Sequence, residues 1–135
     1  MTRAHLPRIT PYLLYENAAE AVSWLCRAFG FRERTANRDA TGRVTHAELE
    51  LGEDGLLLLG QPAPPYKNPK HLGGKTQSLY VYVDDVDAHC AHARSNGATI
   101  IEEPTDAAYG DRRYGALDPE GHAWYFAAPS RRSGG

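Results

Sequence analysis

The sequence is poor in the residues that define several protein classes. Two cysteines, Cys26 and Cys90, in 135 residues are too few for a disulfide framework. Both fall inside apolar helical patterns, as buried reduced thiols of a cytoplasmic protein would. No stretch approaches the ~18 apolar residues of a membrane span, and Met1-Thr-Arg-Ala-His-Leu-Pro-Arg lacks the continuous apolar core of a secretory leader. No membrane partner is therefore expected. The formal net charge is only −2, so nothing recruits the chain to a polyanion and no nucleic-acid partner is expected. A phosphate-cradling glycine loop and a nucleophile-base constellation are also missing.

What is present is ordinary for a globular protein: 41% hydrophobic and 24% charged residues, in a chain able to bury roughly two-thirds of its unfolded surface. The expectation is a single domain over residues 1–135.

Periodicity divides it into two similar halves. Ile9 to Tyr15 reads as a buried strand. Glu16-Asn17 offers an N-cap, and Ala18, Ala21, Val22, Leu25 and Phe29 recur at helical spacing until Gly30 stops the helix. Strands are predicted over Phe31–Asn37, Arg43–Leu51 and Leu56–Gly60, separated by the turns Ala40-Thr41-Gly42 and Glu53-Asp54-Gly55. Residues 61–76 carry Pro62, Pro64, Pro65, Pro69, Gly73 and Gly74, a composition that continues neither period, and are expected to form a linker.

The same order then returns: strand Gln77–Val83, cap Asp84-Asp85, helix Val86–Asn96 and stop Gly97. Strands Ala98–Glu103, Arg112–Leu117 and Ala123–Ala127 follow, with a turn at Asp118-Pro119-Glu120-Gly121. Superposing the halves sets Thr10 on Ser78, Gly30 on Gly97, Gly55 on Gly121 and Leu59 on Tyr125, the pattern of an internal duplication. Module one spans about residues 8–60 and module two 77–128, with a disordered tail expected at 129–135.

Three segments follow one another in a recognisable order: Ala18-Ala-Glu-Ala-Val-Ser-Trp-Leu-Cys-Arg-Ala-Phe-Gly-Phe, Val83-Asp-Asp-Val-Asp and Asp118-Pro-Glu-Gly-His-Ala-Trp-Tyr-Phe. Together they resemble the vicinal-oxygen-chelate superfamily of glyoxalase I, bleomycin-resistance proteins, fosfomycin-resistance enzymes and extradiol dioxygenases. The resemblance covers Ile9 to Pro129, and His46-Ala-Glu-Leu-Glu-Leu-Gly resembles a signature of its PhnB-like branch. It implies an α+β fold in which two tandem βαβββ modules form a curved mixed sheet around a concave pocket. It also implies a homodimer.

Enzymes of that superfamily hold a divalent ion on four side chains, and those positions fall here on Thr10, Leu59, Ser78 and Tyr125. Leu59 has no ligand atom, and two hydroxyls and a phenol are poor donors for Zn²⁺, Ni²⁺, Fe²⁺ or Mn²⁺. A one-residue slip brings in Leu58 or Gly60 and Trp124 or Phe126, which are no better. No metal and no other cofactor is expected.

The histidines are weighed singly. His89 and His92 are read as surface residues, His122 as a turn residue, and His71 as an exposed linker residue or one that closes over a ligand. His46, Glu48 and Glu50 alternate and so share a strand face, either a carboxylate-imidazole cluster or a solvated surface. Trp24 is read as a packing residue, and Tyr66, Lys67 and Lys70 as candidate lid residues.

Strand parity then sorts the faces. Leu13, Leu56, Leu58, Leu79, Val81, Val83, Trp124 and Phe126 are expected beneath the helices. Thr10, Tyr12, Leu14, Leu57, Leu59, Ser78, Tyr80, Tyr82, Ala123 and Tyr125 are expected on the concave side. The tyrosines there either line a site for a flat aromatic molecule or fill the interior and bond to one another. The segment Thr105–Tyr114 is expected to be a loop presenting Tyr109 and Asp111, with Arg112 and Arg113 either solvated there or one of them pairing to an anionic substituent.

Three functions compete. The leading one is metal-free binding or sequestration of an aromatic metabolite or antibiotic, using Tyr12, Leu57, Leu59, Tyr80, Tyr82, Tyr109, Arg112, Arg113 and Tyr125. The second is a glyoxalase- or dioxygenase-like enzyme, with His46 and Glu48 as the acid-base candidates. The third is an interaction module whose pocket has been filled.

Overall fold

The computed structural model describes residues 7–130; of the disordered tail expected at 129–135, residues 131–135 lie outside the described residues, while Pro129 closes the last strand and the Ser130 amide donates to the Gly110 carbonyl at 2.7 Å. The elements are β1 (Tyr12–Leu14), α1 (Ala18–Phe29), β2 (Arg32–Arg38), β3 (Val44–Leu51), β4 (Gly55–Gly60), α2 (Pro69–Leu72), β5 (Ser78–Tyr82), α3 (Val86–Ser95), β6 (Thr99–Asp106), β7 (Asp111–Leu117) and β8 (Ala123–Pro129). The chain divides between Asn68 and Pro69 into two compact units, each a βαβββ module with its own four-stranded mixed sheet. The architecture is α+β, as the sequence implies.

In module one the order is β1-β4-β3-β2. β1 runs parallel to β4, while β4–β3 and β3–β2 are antiparallel. Helix α1 starts where Asn17 accepts a hydrogen bond from the Glu20 amide at 3.2 Å, a cap worth about 1 kcal/mol. It ends at Gly30, whose φ of 83° is left-handed and suits a residue without Cβ. Its apolar stripe (Ala21, Val22, Leu25, Ala28, Phe29) is buried together with Leu13, Ala47, Leu49, Leu57 and Leu59. Each large side chain buried there contributes about 1.5–3 kcal/mol. Trp24 packs edge-on against Phe29, ring centroids 4.8 Å apart.

That core corrects the parity expected for β4. Leu57 and Leu59 are 1% and 0% exposed, so they lie in the core, and Leu56 and Leu58 take the other face. A run of four leucines contains no alternation from which parity can be read. Pairing decides it: Leu13 lies opposite Leu59 and Tyr12 opposite Leu58.

In module two the order is β5-β8-β7-β6, with β5 parallel to β8. Asp85 caps α3 by accepting from the Ala88 amide at 3.0 Å. Beneath α3 lie Tyr114, Trp124 and Phe126, all 0% exposed. The Tyr114 and Phe126 rings stack with centroids 5.3 Å apart. His89 is not a surface residue: its Nδ1 is 2.5 Å from the Tyr114 hydroxyl and its ring centroid 4.2 Å from that of Phe126. Burial, first of all, pushes the Tyr114 phenol well above its ordinary pKa.

The Asp118 turn is built around one carboxylate. Oδ1 accepts from the Glu120 and His122 amides at 3.1 Å each, and Oδ2 accepts from Trp124 Nε1 at 3.1 Å. The Lys70 amide of α2 donates to the Glu120 carbonyl at 3.2 Å. The expected linker therefore contains a short helix. Its earlier part is tied to module one: the Tyr66 hydroxyl donates to the Leu14 carbonyl and the Asn68 amide to Glu16, both at 2.7 Å. β8 continues to Pro129, two residues further than expected.

Candidate functional site

The face of each sheet turned away from its helix carries the polar and phenolic side chains. In module two, parallel pairing sets Tyr80 beside Tyr125 and Tyr82 beside Ala127, and antiparallel pairing sets Gly115 beside Tyr125 and Arg113 beside Ala127. Side chains in register share a face. Tyr80, Tyr82, Arg113 and Tyr125 therefore stand together, and Asp111 joins them two residues before Arg113.

The expected loop over Thr105–Tyr114 is instead two strands and a tight turn. β6 runs to Asp106 and β7 begins at Asp111. The Ala107 amide donates to the Asp111 carbonyl at 2.7 Å and the Gly110 amide to the Ala107 carbonyl at 3.1 Å. This turn carries Tyr109 to the edge of the phenolic face.

The phenols there are joined through one carboxylate. Asp111 Oδ2 accepts from the Tyr80 hydroxyl at 2.7 Å and from the Tyr82 hydroxyl at 3.1 Å. Tyr80 and Tyr109 hydroxyls are 2.8 Å apart, and Arg113 donates to the Tyr109 oxygen at 3.3 Å. Arg113 is also held by Glu102 in a two-point contact, Nε to Oε2 at 2.8 Å and a terminal nitrogen to Oε1 at 3.1 Å. Its guanidinium lies 5.0 Å from the centroid of the Tyr125 ring, within cation-π range.

Desolvation, followed by the bonds to Tyr109 and Asp111, holds the Tyr80 phenol far above its ordinary pKa. For Tyr82 the bond to Asp111 is the largest cause of a rise. Both hydroxyls thus stay protonated and donate. The rings remain accessible: Tyr80 is 41% exposed, Tyr82 62% and Tyr109 63%. Gly115 makes room for Tyr125, since a Cβ there would come within 2.7 Å of that ring.

Arg112 takes no part in this face. Odd-even parity turns it to the α3 side, where Nε and a terminal nitrogen bond Asp87 at 2.8 and 2.9 Å and the other terminal nitrogen bonds Asp106 at 3.3 Å. Of the two arginines offered by the sequence, only Arg113 joins the tyrosines.

Module one presents a different set. The Tyr12 hydroxyl and His46 Nδ1 are hydrogen-bonded at 2.9 Å, His46 Nε2 lies 3.7 Å from Glu48, and Glu48 pairs with Arg34 at 3.1 Å. His46 and Glu48 are therefore brought together, each about 30% exposed, with Leu56 and Leu58 beside them in place of phenols. Gly60 accommodates Tyr12, for a Cβ there would approach the Tyr12 hydroxyl to 3.0 Å and the Thr45 carbonyl to 2.8 Å.

The sequence did not single out Glu102, Arg34, Gly60 or Gly115. The signals available were opposite charges on adjacent antiparallel strands and glycines inside otherwise bulky strands.

Two clefts of module two lie away from the phenols. One of about 520 Å³ is bordered by α2, Lys75 and the Asp118 turn, but its Asp118 carboxylate is already occupied by the turn and Trp124. The other, of about 460 Å³, is bordered by Asp84, Asp85, Asp87 and Arg112, and Arg112 already engages Asp87. Neither gathers aromatic surface.

The ligand positions of the resemblance can be tested on the register. Tyr80 pairs with Tyr125 and Tyr12 with Leu58, so Leu58, not Leu59, is the counterpart of Tyr125. A set of Thr10, Leu58, Ser78 and Tyr125 does not fit a divalent ion, because one member has no donor atom and none is an imidazole or carboxylate. Among the described residues no group of three or more His, Cys, Asp or Glu is arranged to hold a metal. No described helix is long and apolar enough to cross a membrane.

Comparison with known proteins agrees with this fold. The sequence profile described as the Glyoxalase/Bleomycin resistance protein/Dioxygenase superfamily matches residues 5–126. An uncharacterised protein of Mycobacterium bovis is 30% identical over 130 residues, 93% of this chain and 85% of that protein. The crystal structure of TioX from Micromonospora sp. ML1 superposes with a TM-score of 0.75 at 32% identity, over 91% of this chain and 98% of TioX. That of TnmS3, an antibiotic binding protein from Streptomyces sp. CB03234, superposes with a TM-score of 0.69 at 21% identity, over 96% and 99% of the two chains.

Proposed function

For a chain that belongs to the glyoxalase/bleomycin resistance protein/dioxygenase superfamily, we propose metal-free binding of a flat aromatic small molecule, a metabolite or antibiotic that the protein sequesters. The observation that carries this reading is the phenolic face of module two. Tyr80 and Tyr82 point their hydroxyls at a common acceptor, Asp111, while leaving their rings accessible. Rings fixed in this way lose little side-chain entropy when a planar ligand covers them, so buried aromatic area converts efficiently into affinity. The same fold serves antibiotic binding in TnmS3, which supports a natural product as ligand. A homodimer, a cytoplasmic location, a single functional domain over residues 1–135 and placement in the PhnB-like branch belong to the same reading.

A second reading, an enzyme of the lyase or oxidoreductase kind, draws on the Tyr12–His46 hydrogen bond of 2.9 Å. His46 beside Glu48 and Arg34 could accept or return a proton in that module without a metal.

Quinoline, a neutral planar probe, separates these readings when tyrosine fluorescence is followed during titration. Sequestration predicts saturable quenching, at least tenfold weaker in Tyr80→Ala, and recovery of unaltered quinoline. Absence of saturable quenching, or equal affinity in Tyr80→Ala, would overturn the binding site. Calorimetric titration of chelator-stripped protein with Zn²⁺, Ni²⁺ and Mn²⁺ tests the metal-free part, which stoichiometric tight binding would overturn.

A further inference from the structure

We infer that the phenolic face of module two selects cationic planar aromatics over neutral ones, with Asp111 as counter-charge and Tyr80 and Tyr82 as cation-π walls. This deepens the binding reading above and rests on it. The charge balance of the face comes first. Glu102 and Arg113 neutralise each other in a two-point ion pair, whereas Asp111 receives only phenolic hydrogen bonds from described side chains, both at Oδ2. Counting Asp111 and Glu102 as −1 each and Arg113 as +1 leaves the cluster at −1. Phenols soften a carboxylate's field without cancelling its charge, and both of these bonds fall on Oδ2, none on Oδ1.

Ring geometry is the second observation. Tyr80 and Tyr82 meet at 75° with centroids 5.6 Å apart, so their faces form two walls of a corner rather than a flat stack. A cation in such a corner meets two negative π-faces together. Each hydroxyl also donates to a carboxylate, which pushes electron density into the ring and strengthens its attraction for positive charge. The face already holds one cation in this manner, the Arg113 guanidinium over Tyr125. A neutral ligand gains only the stacking; a quaternised or protonated nitrogen heterocycle gains the Asp111 field as well.

Quinoline and N-methylquinolinium share one ring system and differ in charge, so their affinity ratio isolates the inference. Affinities are measured by tyrosine quenching at neutral pH and low salt on the full chain. N-methylquinolinium is expected to bind at least tenfold tighter than quinoline, the ratio to fall severalfold in Asp111→Asn, where only the cation-π walls remain, and to persist in Asp111→Glu, which keeps the charge. Added salt should erode the cation's advantage. Saturable binding of both probes with equal affinity, or a ratio unchanged in folded Asp111→Asn, would overturn cation selection and leave aromatic binding standing. Failure of both probes to bind wild-type protein would overturn both readings together.

Discussion

The two modules share one backbone plan and spend it differently. Register aligns Tyr12 with Tyr80 and Leu58 with Tyr125. Ala47 opposite Leu59 matches Tyr114 opposite Phe126, so His46 falls where Arg113 does and Glu48 where Gly115 does. Module two thus uses a glycine to lay a tyrosine flat and braces its arginine with Glu102 from the neighbouring strand. Module one has leucine for that tyrosine, a carboxylate for the glycine, and the charges of the ion pair exchanged between strands, Arg34 on β2 and Glu48 on β3. Covered faces are alike in being apolar, because each must bury a helix; the other faces are free to diverge. The difference teaches that the two modules diverge through a few residues on one side of each sheet, with the phenols concentrated in the second.

The largest expected effect tests the assignment of faces. Leu59→Ala empties a fully buried site and should lower unfolding free energy by about 2–5 kcal/mol, whereas Leu58→Ala, on the other face, should cost under about 1 kcal/mol. Urea denaturation measures both. Equal losses would break the alignment of Leu58 with Tyr125, and with it the contrast between the modules.

That pair also marks what the sequence can and cannot disclose. Helix α1 was legible to the residue because Asn17, the 3.6-residue stripe and Gly30 all agree. The βαβββ order was legible because turn residues punctuate it. Leu56 to Leu59 were not, since β4 has no hydrophilic partner residues to mark a face, and the pairing that fixes parity is non-local. Arg112 and Arg113 were indistinguishable in sequence for a related reason: two adjacent arginines point to opposite faces, and only the Asp87 and Glu102 partners show which one meets the tyrosines. Tyr109 was singled out, but the tight turn that delivers it was expected as a longer loop.

An intermediate effect separates the two glycines. An added Cβ at Gly60 meets a backbone carbonyl, that of Thr45, at 2.8 Å, while one at Gly115 meets the Tyr125 ring at 2.7 Å. A ring can swing aside more cheaply than a strand can move. Gly60→Ala should therefore cost the more, both falling within roughly 1–3 kcal/mol. Gly115→Ala should additionally weaken quinoline binding, and Gly60→Ala should not. A Gly115→Ala protein that binds quinoline normally would remove Tyr125 from the site.

The smallest expected effect concerns the phenols themselves in alkali. Tyr80, Tyr82 and Tyr114 all have pKa values raised in the folded protein, so above the ordinary tyrosine value of about 10 the native state holds protons that the unfolded chain has released. The native state then binds more protons than the unfolded one, and the slope of stability against pH is negative. Their contribution is fully present below about pH 10 and lost as pH rises toward the folded values. Asp111→Asn removes the hydrogen-bonded charge that helps to raise Tyr80 and Tyr82 but leaves Tyr114, whose rise comes first from burial. The decline should consequently be shallower in Asp111→Asn, by a small margin because Tyr80 and Tyr82 are exposed and their electrostatics are screened. Urea midpoints measured across about pH 9 to 11 read the slope. Identical slopes in the two proteins would mean that Asp111 does not govern the phenols, and module two would then lose the feature that most distinguishes it from module one.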